Sequence, residues 1–157
     1  WTETLSIALQ GPVQFMNEIL PGMCERKWGR VVNIATAAAK YPSAARILSG
    51  PPRAALVNYT VAVSKEVAKY NVCVNNILPG MHITDPIVEM FTNIAKENGT
   101  TMDEEIMNVV KEHKIAAGRF GDPNDVGSVV AMLCSQFSNY ITGQSLIVDG
   151  GVTNSTF

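Results

Sequence analysis

The chain has 157 residues, of which 46% are hydrophobic and 17% charged, and its formal net charge is −2. This composition predicts a single soluble globular domain with a sizeable core. The charge balance lacks the excess of Lys and Arg that binding to nucleic-acid phosphates requires. No apolar stretch reaches the roughly 18 residues of a membrane span. We therefore expect neither nucleic acid nor a membrane as a partner.

The three cysteines, Cys24, Cys73 and Cys134, are widely spaced and odd in number. Such a set predicts neither a disulfide framework nor a zinc cluster, and a reducing cytoplasm is the simplest setting for it. Cys73 lies between two valines, which is typical of a small buried hydrophobe. The chain begins at Trp1 rather than at a methionine, so we expect it to be cut from a longer protein.

The first half of the chain alternates helix and strand patterns. Apolar residues recur at helical spacing from Trp1 to about Arg26, which predicts one long helix bent at Pro12. The apolar run 31–35 predicts a short strand buried on both faces. After a loop, the pattern from about Arg53 to Lys69 predicts a second helix. The basic cluster that ends in Arg30 is expected to be solvated.

The second half continues the alternation. Residues 72–78 predict a buried strand, which a Pro-Gly turn ends. Two polar helices are predicted over 85–97 and 103–113, and a third from Pro123 to about Ser135, with an aspartate at its N-cap. The last strand is predicted over 145–149.

These elements predict an α/β fold with three parallel strands. Three strands covered on both faces would leave a buried type of edge unpaired. A doubly wound Rossmann-type sheet binds its dinucleotide between two βαβ halves. We therefore interpret residues 1–157 as one partial domain, the C-terminal part of such a sheet, whose N-terminal βαβ half is missing from this chain. Residues 85–113 would form the helices of a substrate loop.

Several sequence landmarks occur in a fixed order with fixed spacing. They are Gly29-Arg-Val-Val-Asn-Ile34, Arg53-Ala-Ala-Leu56, Val74-Asn-Asn-Ile-Leu-Pro-Gly80, Gly118-Arg-Phe-Gly-Asp-Pro123 and Tyr140-Ile-Thr-Gly-Gln-Ser-Leu-Ile-Val-Asp-Gly-Gly151. Through these landmarks the chain resembles the short-chain dehydrogenase/reductase family over essentially its whole length. The resemblance implies NAD or NADP as cofactor and a small-molecule carbonyl or alcohol as substrate. It also implies a homodimer or homotetramer formed through the two long helices.

The resemblance assigns a cofactor role to the turn after the second predicted strand. In the family, the Pro-Gly turn places backbone groups against the nicotinamide amide, and the Thr four residues after the Gly contacts the cofactor. The matching residues here are Pro79, Gly80 and Thr84. The assignment is physically reasonable, because glycine permits close backbone approach and proline stiffens the turn.

The family's four catalytic positions are all altered in this chain. The family uses Asn, Ser, Tyr and Lys, the last two spaced Tyr-x-x-x-Lys. Thr36 stands at the Ser position, Ser49 follows it by 13 residues at the Tyr position, and Arg53 stands at the Lys position. The Asn position falls on Ala8. Only Thr36 keeps the chemical group, so the proton relay is predicted to be degenerate.

The substitutions have chemical consequences. A serine hydroxyl is a far weaker acid than a phenol, and arginine does not replace lysine in a proton relay. We consider two roles for Arg53, an ion pair at the helix start or a contact to cofactor or substrate. Tyr41, in the loop after the first strand, either reaches into the cleft or packs beneath the loop. His82 and His113 are too isolated to be metal ligands and are expected to be solvated or capping.

The pattern Ser-x-x-x-Arg-Ala is similar to that of a subgroup of bacterial homologues labelled oxoacyl-carrier-protein reductases. The haloalcohol dehalogenases share the Arg but retain a Tyr, so Ser49 excludes them. Two functions follow. The first is an NAD(P)-dependent oxidoreductase that transfers hydride between nicotinamide and a carbonyl or secondary alcohol, with degenerate catalytic residues. The alternative is a catalytically silent homologue that binds cofactor or acts in assembly.

Overall fold

The structure, a computed structural model, describes residues 1–153. Three strands form one parallel sheet in the order β1-β2-β3, with β1 at Gly29–Ile34, β2 at Val72–Pro79 and β3 at Ser145–Val148. The central strand β2 pairs with β1 over its first six residues and with β3 over its last four. The predicted α/β class with a parallel sheet is confirmed.

Six α-helices connect and cover the strands. They are α1 at Thr2–Leu5, α2 at Gly11–Glu25, α3 at Gly50–Val67, α4 at Asp85–Asn98, α5 at Met102–Glu112 and α6 at Pro123–Cys134. Short 3-10 turns lie at Ala37–Ala39, Ala44–Arg46, Ala68–Tyr70 and Gln136–Ser138. The predicted boundaries of α4, α5 and α6 agree with the structure to within one residue.

The core consists of two apolar clusters. The larger cluster packs α2 and α3 against β1 and β2 through Met16, Leu20, Val31, Leu56, Val67, Val72 and Val74. The second cluster joins α4 and α5 to the chain that follows them, through Phe91, Ile106, Val110, Ile115 and Phe120. Phe91 and Phe120 meet edge to face, with ring centroids 5.7 Å apart.

The single long helix predicted at the start of the chain is present, since the chain is helical without a break from Thr2 to Glu25. Its hydrogen bonding is irregular, because a π-helical segment, Ser6–Gln10, lies between α1 and α2, and Pro12 is in the first turn of α2. The amide of Gly11 donates to the carbonyl of Ser6, five residues back. Because Pro12 has no amide hydrogen, the regular ladder is interrupted here and a wider turn precedes the proline.

Helix α3 begins at Gly50, three residues before the predicted start, because Pro51 and Pro52 are accommodated in its first turn. A Cβ at Gly50 would lie 2.9 Å from the carbonyl oxygen of Ala38, so the helix start packs directly on the turn after β1. The chain leaves α3 through the left-handed Asn71, whose φ is 58°.

Burial along the strands differs from the prediction. Strand β2 is buried from Val72 to Leu78, whereas β1 is buried only at its first three residues. At the carboxyl end of β1, Ile34 is 51% exposed. The expectation of a first strand covered on both faces is therefore wrong, because the described helices cover only its beginning.

Arg30 also departs from its prediction, since it is buried rather than solvated. Its guanidinium donates to the carbonyls of Gly29 at 2.7 Å and Asn71 at 2.9 Å, and to the side chain of Asn139. It also lies 5.3 Å from the centre of the Trp28 ring. Through these hydrogen bonds, the Arg30 guanidinium connects the start of β1 to the loop after α6, which is distant in sequence.

Candidate functional site

A cleft of about 730 Å³ opens at the carboxyl ends of the three strands. Parallel α/β sheets bind their ligands at this edge. The residues that line it are Thr36, Ala37, Ala38, Tyr41, Ser43, Ala45, Arg46, Pro79, Gly80, Met81, His82, Thr84, Ile87, His113, Ile115, Pro123, Val126, Asp149, Val152 and Thr153. The lining combines apolar side chains with a few convergent polar groups, which is typical of a small-molecule site.

One wall of the cleft is the turn that follows β1. Thr36 has an extended backbone and caps the 3-10 turn Ala37–Ala39, with its hydroxyl oxygen 3.4 Å from the amide of Ala38. The chain then folds back, and the amide of Tyr41 donates to the carbonyl of Ala37 at 2.9 Å. This local turn brings the Thr36 hydroxyl and the Tyr41 ring to the same wall.

A second part of the cleft lining is the turn after β2. Pro79, Gly80 and Thr84, the three residues predicted to contact a cofactor, all line the cleft. The amide of Gly80 donates to Val148 at 2.9 Å. A Cβ at Gly80 would lie 2.8 Å from the Cα of Asp149, so this glycine lets the ends of β2 and β3 approach closely. Thr84 is the N-cap of α4, and its side chain forms no capping bond there.

Ser49 and Arg53 lie together, and the amide of Ser49 donates to the carbonyl of the cleft residue Arg46 at 2.9 Å. Arg53 donates through Nη1 to the Oγ of Ser49 at 3.1 Å and to its carbonyl at 3.3 Å. Neither residue is among those that line the cleft. Ala8 is buried in the π-helical segment, which packs against α3. The structure thus joins Ser49 to Arg53 and places Thr36 with the predicted cofactor residues, in two groups linked by the packing of Gly50 on Ala38.

The cleft also contains polar residues that the sequence did not single out, among them Arg46 and Asp149. The Asp149 carboxylate accepts hydrogen bonds from the amides of Gly151 at 2.9 Å and Thr153 at 3.0 Å. These bonds turn the chain after β3 so that Val152 and Thr153 form part of the cleft wall. The sequence predicted that the Asp-Gly-Gly motif ends the last strand. Its role in shaping the cleft wall depends on the turn that these hydrogen bonds form.

His82 contradicts its predicted solvated or capping role, because it is only 8% exposed and lines the cleft. Its Nδ1 lies 3.3 Å from the carbonyl oxygen of Gly80. A Cβ at Gly121 would lie 2.5 Å from the ring, so the imidazole packs closely against that residue. In the sequence, His82 lies between Gly80 and Thr84, two predicted cofactor residues, and this position could have predicted that it lines the cleft. His113, by contrast, is exposed at the rim of the cleft.

An ion pair between Arg119 and Asp125 lies near His82. The amide of Asp122 donates to the Asp125 carboxylate at 3.0 Å, and this bond lowers the pKa of Asp125. The positive charge of Arg119, 3.5 Å away, contributes in the same direction.

Within residues 1–153, no group of three or more His, Cys, Asp or Glu side chains is arranged to hold a metal ion. Over the same residues, no helix is long and apolar enough to cross a membrane.

Comparison with known proteins agrees with this architecture. A model of the family described as Enoyl-(Acyl carrier protein) reductase matches residues 1–153. The chain therefore belongs to the short-chain dehydrogenase/reductase family.

Individual relatives show how much of the fold is present. The chain is 34% identical over 152 residues to 3-oxoacyl-(acyl-carrier-protein) reductase FabG of Aquifex aeolicus, a match that covers 97% of this chain and 56% of the relative. It is 32% identical over 148 residues to carbonyl reductase family member 4 of Xenopus laevis, covering 94% and 55%. The structure of L-sorbose reductase from Gluconobacter frateurii, in complex with NADPH and L-sorbose, matches with a TM-score of 0.90 at 26% identity, covering 97% and 57%. The chain spans little more than half the length of these relatives.

Proposed function

We propose that the protein is an NAD(P)-dependent oxidoreductase that transfers hydride between nicotinamide and a carbonyl or secondary alcohol, with degenerate catalytic residues. The observation that supports this most directly is the cleft itself, which the hydroxyl-bearing Thr36 lines together with Pro79, Gly80 and Thr84. A hydroxyl beside a cofactor cleft is the minimum that carbonyl reduction needs, since the developing oxyanion must be stabilised.

The residues of the cleft fit the nicotinamide end of NAD or NADP. The cleft is open, its walls carry apolar side chains such as Met81, Ile87 and Val152, and the Thr84 hydroxyl is free of a capping bond. Pro79, Gly80 and Thr84 would hold the nicotinamide ring and its amide. When bound, the cofactor supplies or accepts the hydride. The L-sorbose reductase relative binds NADPH, and our proposal for this protein includes both NADP and NAD.

Residues of the chain itself would bind and orient the substrate. The Thr36 hydroxyl would hydrogen-bond to the substrate oxygen, as a serine does in the family. Arg53 fixes the Ser49 hydroxyl through the 3.1 Å bond and keeps a permanent positive charge near the start of α3. Ser49 and Arg53 would then act from the side of the cleft, and Ala8 contributes only a methyl group where the family has an amide.

The substrate class follows from the relatives. One relative is named for a 3-oxoacyl substrate and another for a sugar ketone. We propose a small ketone or the corresponding secondary alcohol. Residues 85–113, which form α4 and α5 and contribute Ile87 and His113 to the cleft lining, would act as a substrate loop. We further propose a homodimer or homotetramer in the cytoplasm, a setting that suits the free thiols of Cys24, Cys73 and Cys134.

The test is steady-state turnover of the full-length protein with NADPH or NADH and a panel of ketones that includes acetoacetyl thioesters and L-sorbose. Cofactor binding is measured in parallel by fluorescence. We expect both binding and slow turnover. Binding without turnover on any ketone or alcohol would contradict an oxidoreductase.

That negative outcome would favour a second function, a catalytically silent homologue that binds cofactor or acts in assembly. One observation favours it, since Ser49 and Arg53 bond to each other and do not line the cleft. The double substitution Ser49→Tyr with Arg53→Lys distinguishes the cases. If it raises turnover by about 100-fold or more, the typical contribution of general acid-base catalysis, then only the proton relay is degenerate.

A further inference from the structure

We propose that Tyr41 is the proton donor of this cleft and takes over the step that the Ser49 position can no longer perform. This inference rests on the proposed oxidoreductase function and names a catalytic residue for it. A ketone that receives hydride at carbon needs a proton at oxygen, and a phenol is the most acidic hydroxyl among the side chains.

The position of Tyr41 is the first argument. It lines the same cleft as Thr36, and its amide is tied to Ala37 in the turn that Thr36 caps. Tyr41 and Thr36 therefore line one part of the cleft. In the proposed complex, both hydroxyls would address one substrate oxygen. The ring is half-buried, so it is placed by packing and still reaches the cleft.

The Tyr41 hydroxyl is also available for proton transfer. Among residues 1–153, it forms no hydrogen bond with another side chain or carbonyl, whereas the Tyr59 hydroxyl donates to Asn17 at 2.7 Å. The Lys40 ammonium lies 5.7 Å from the centre of the Tyr41 ring. The cation therefore lies beside the aromatic ring.

Three other polar side chains in or near the cleft are less suited to this step. The His82 ring is packed against the backbone of Gly121, and its Nδ1 faces the carbonyl of Gly80. His113 is exposed at the C-cap of α5, where bulk solvent surrounds it. The Ser49 hydroxyl is held by Arg53 outside the lining of the cleft.

In the proposed reduction, the carbonyl carbon would accept a hydride with its electron pair from the reduced nicotinamide, which would oxidise the cofactor and break the C=O π bond. The oxygen takes the proton of the Tyr41 hydroxyl as its O–H bond breaks, which yields the secondary alcohol and a phenolate. Water then returns a proton to the phenolate, since the ring is only half-buried.

The experiment compares Tyr41→Phe with wild type in the full-length protein, using NADPH and whichever ketone of the panel turns over fastest. The matched control is Tyr70→Phe, because Tyr70 also has a neighbouring lysine cation, Lys69, 5.2 Å from its ring, but lies at the end of α3 away from the cleft. We expect Tyr41→Phe to lower kcat by about 100-fold or more, with NADPH affinity and melting temperature unchanged. Tyr70→Phe should leave kcat unchanged.

Each result is decisive. A kcat for Tyr41→Phe within about threefold of wild type, alongside an active wild-type protein, would overturn the role of Tyr41 and leave the oxidoreductase function standing. A Tyr41→Phe variant that loses NADPH binding or stability would also overturn it, because Tyr41 would then only build the cleft wall. Wild-type protein that binds NADPH and reduces nothing would remove both proposals together.

Discussion

Gly80 owes its importance to a neighbour 69 residues away in sequence. Its amide donates to Val148, and the space a Cβ would fill is occupied by the Cα and Cβ of Asp149. Its φ lies outside the left-handed region, so the constraint is one of space alone. The sequence predicted this glycine for its approach to a cofactor, whereas the structure adds a second reason inside the protein.

Substitution of Gly80 by alanine should lower the free energy of unfolding by about 1–3 kcal/mol, because the new Cβ would lie 2.7 Å from that of Asp149 and overpack the sheet edge. The control is Gly127→Ala in α6, where no atom lies within 4 Å of the added Cβ. Alanine there should raise stability by about 0.5–1 kcal/mol through its helix propensity. Denaturant unfolding measures both, and a Gly80→Ala variant as stable as wild type would contradict the close packing.

Arg30 gives a second prediction at this scale. Lysine lacks the planar guanidinium group, which in Arg30 donates hydrogen bonds to Gly29, Asn71 and Asn139 at once. We expect Arg30→Lys to cost about 1–3 kcal/mol of unfolding free energy, since buried carbonyl groups lose their donors. The exposed Arg26→Lys, with the same change of side chain, should shift it by less than about 0.5 kcal/mol. If both substitutions change the unfolding free energy equally, the guanidinium of Arg30 is not needed for stability.

Among the elements, α5 depends most visibly on a local signal. The Thr101 hydroxyl oxygen lies 3.3 Å from the Glu104 amide, and the Glu104 carboxylate accepts from the Thr101 amide at 2.9 Å. This capping box satisfies two amides that an α-helix start leaves unpaired. The π-helical segment before α2 is the opposite case. Its location follows from a missing amide at Pro12, which the apolar periodicity did not reveal.

The capping box predicts a pH dependence for α5. The backbone bond from Thr101 lowers the pKa of Glu104 below its ordinary value of 4.5. Because the folded-state pKa is the lower one, the carboxylate stabilises the fold above pH 4.5, and this contribution is lost as the pH falls below that value. We expect Glu104→Gln to flatten the acid side of the stability profile in thermal melts. The exposed Glu97→Gln on α4 is the control, and a flattening as large in that variant would contradict the assignment.

At the scale of the whole molecule, the cleft exists only because three separate turns meet at one sheet edge. If NADPH binds there, it should stabilise the folded state by about 2.7 kcal/mol at a free concentration of 100 Kd. We expect Thr84→Val to weaken NADPH binding about fivefold, the loss of one hydrogen bond worth roughly 1 kcal/mol. Thr92→Val is the control, since the Thr92 hydroxyl bonds to Val88 within α4. The measurement is the shift in melting temperature with NADPH, and a full shift in Thr84→Val would exclude that threonine as a contact.

The sequence by itself determined the class of fold, the order of the elements and most of their ends. Apolar periodicity, prolines in first turns and the Asp122 cap are local properties, so they could be interpreted without knowing the neighbours. The family landmarks added the cofactor-side turn at Pro79, Gly80 and Thr84, all of which line the cleft.

Tertiary structure decided which side chains meet. That Arg30 is buried and that His82 and Tyr41 line the cleft depend on contacts between distant segments. Residue type and spacing do not contain this information, because the same histidine or arginine is solvated or buried according to the backbone that packs against it. The cleft belongs to the fold as a whole, whereas its elements are encoded locally.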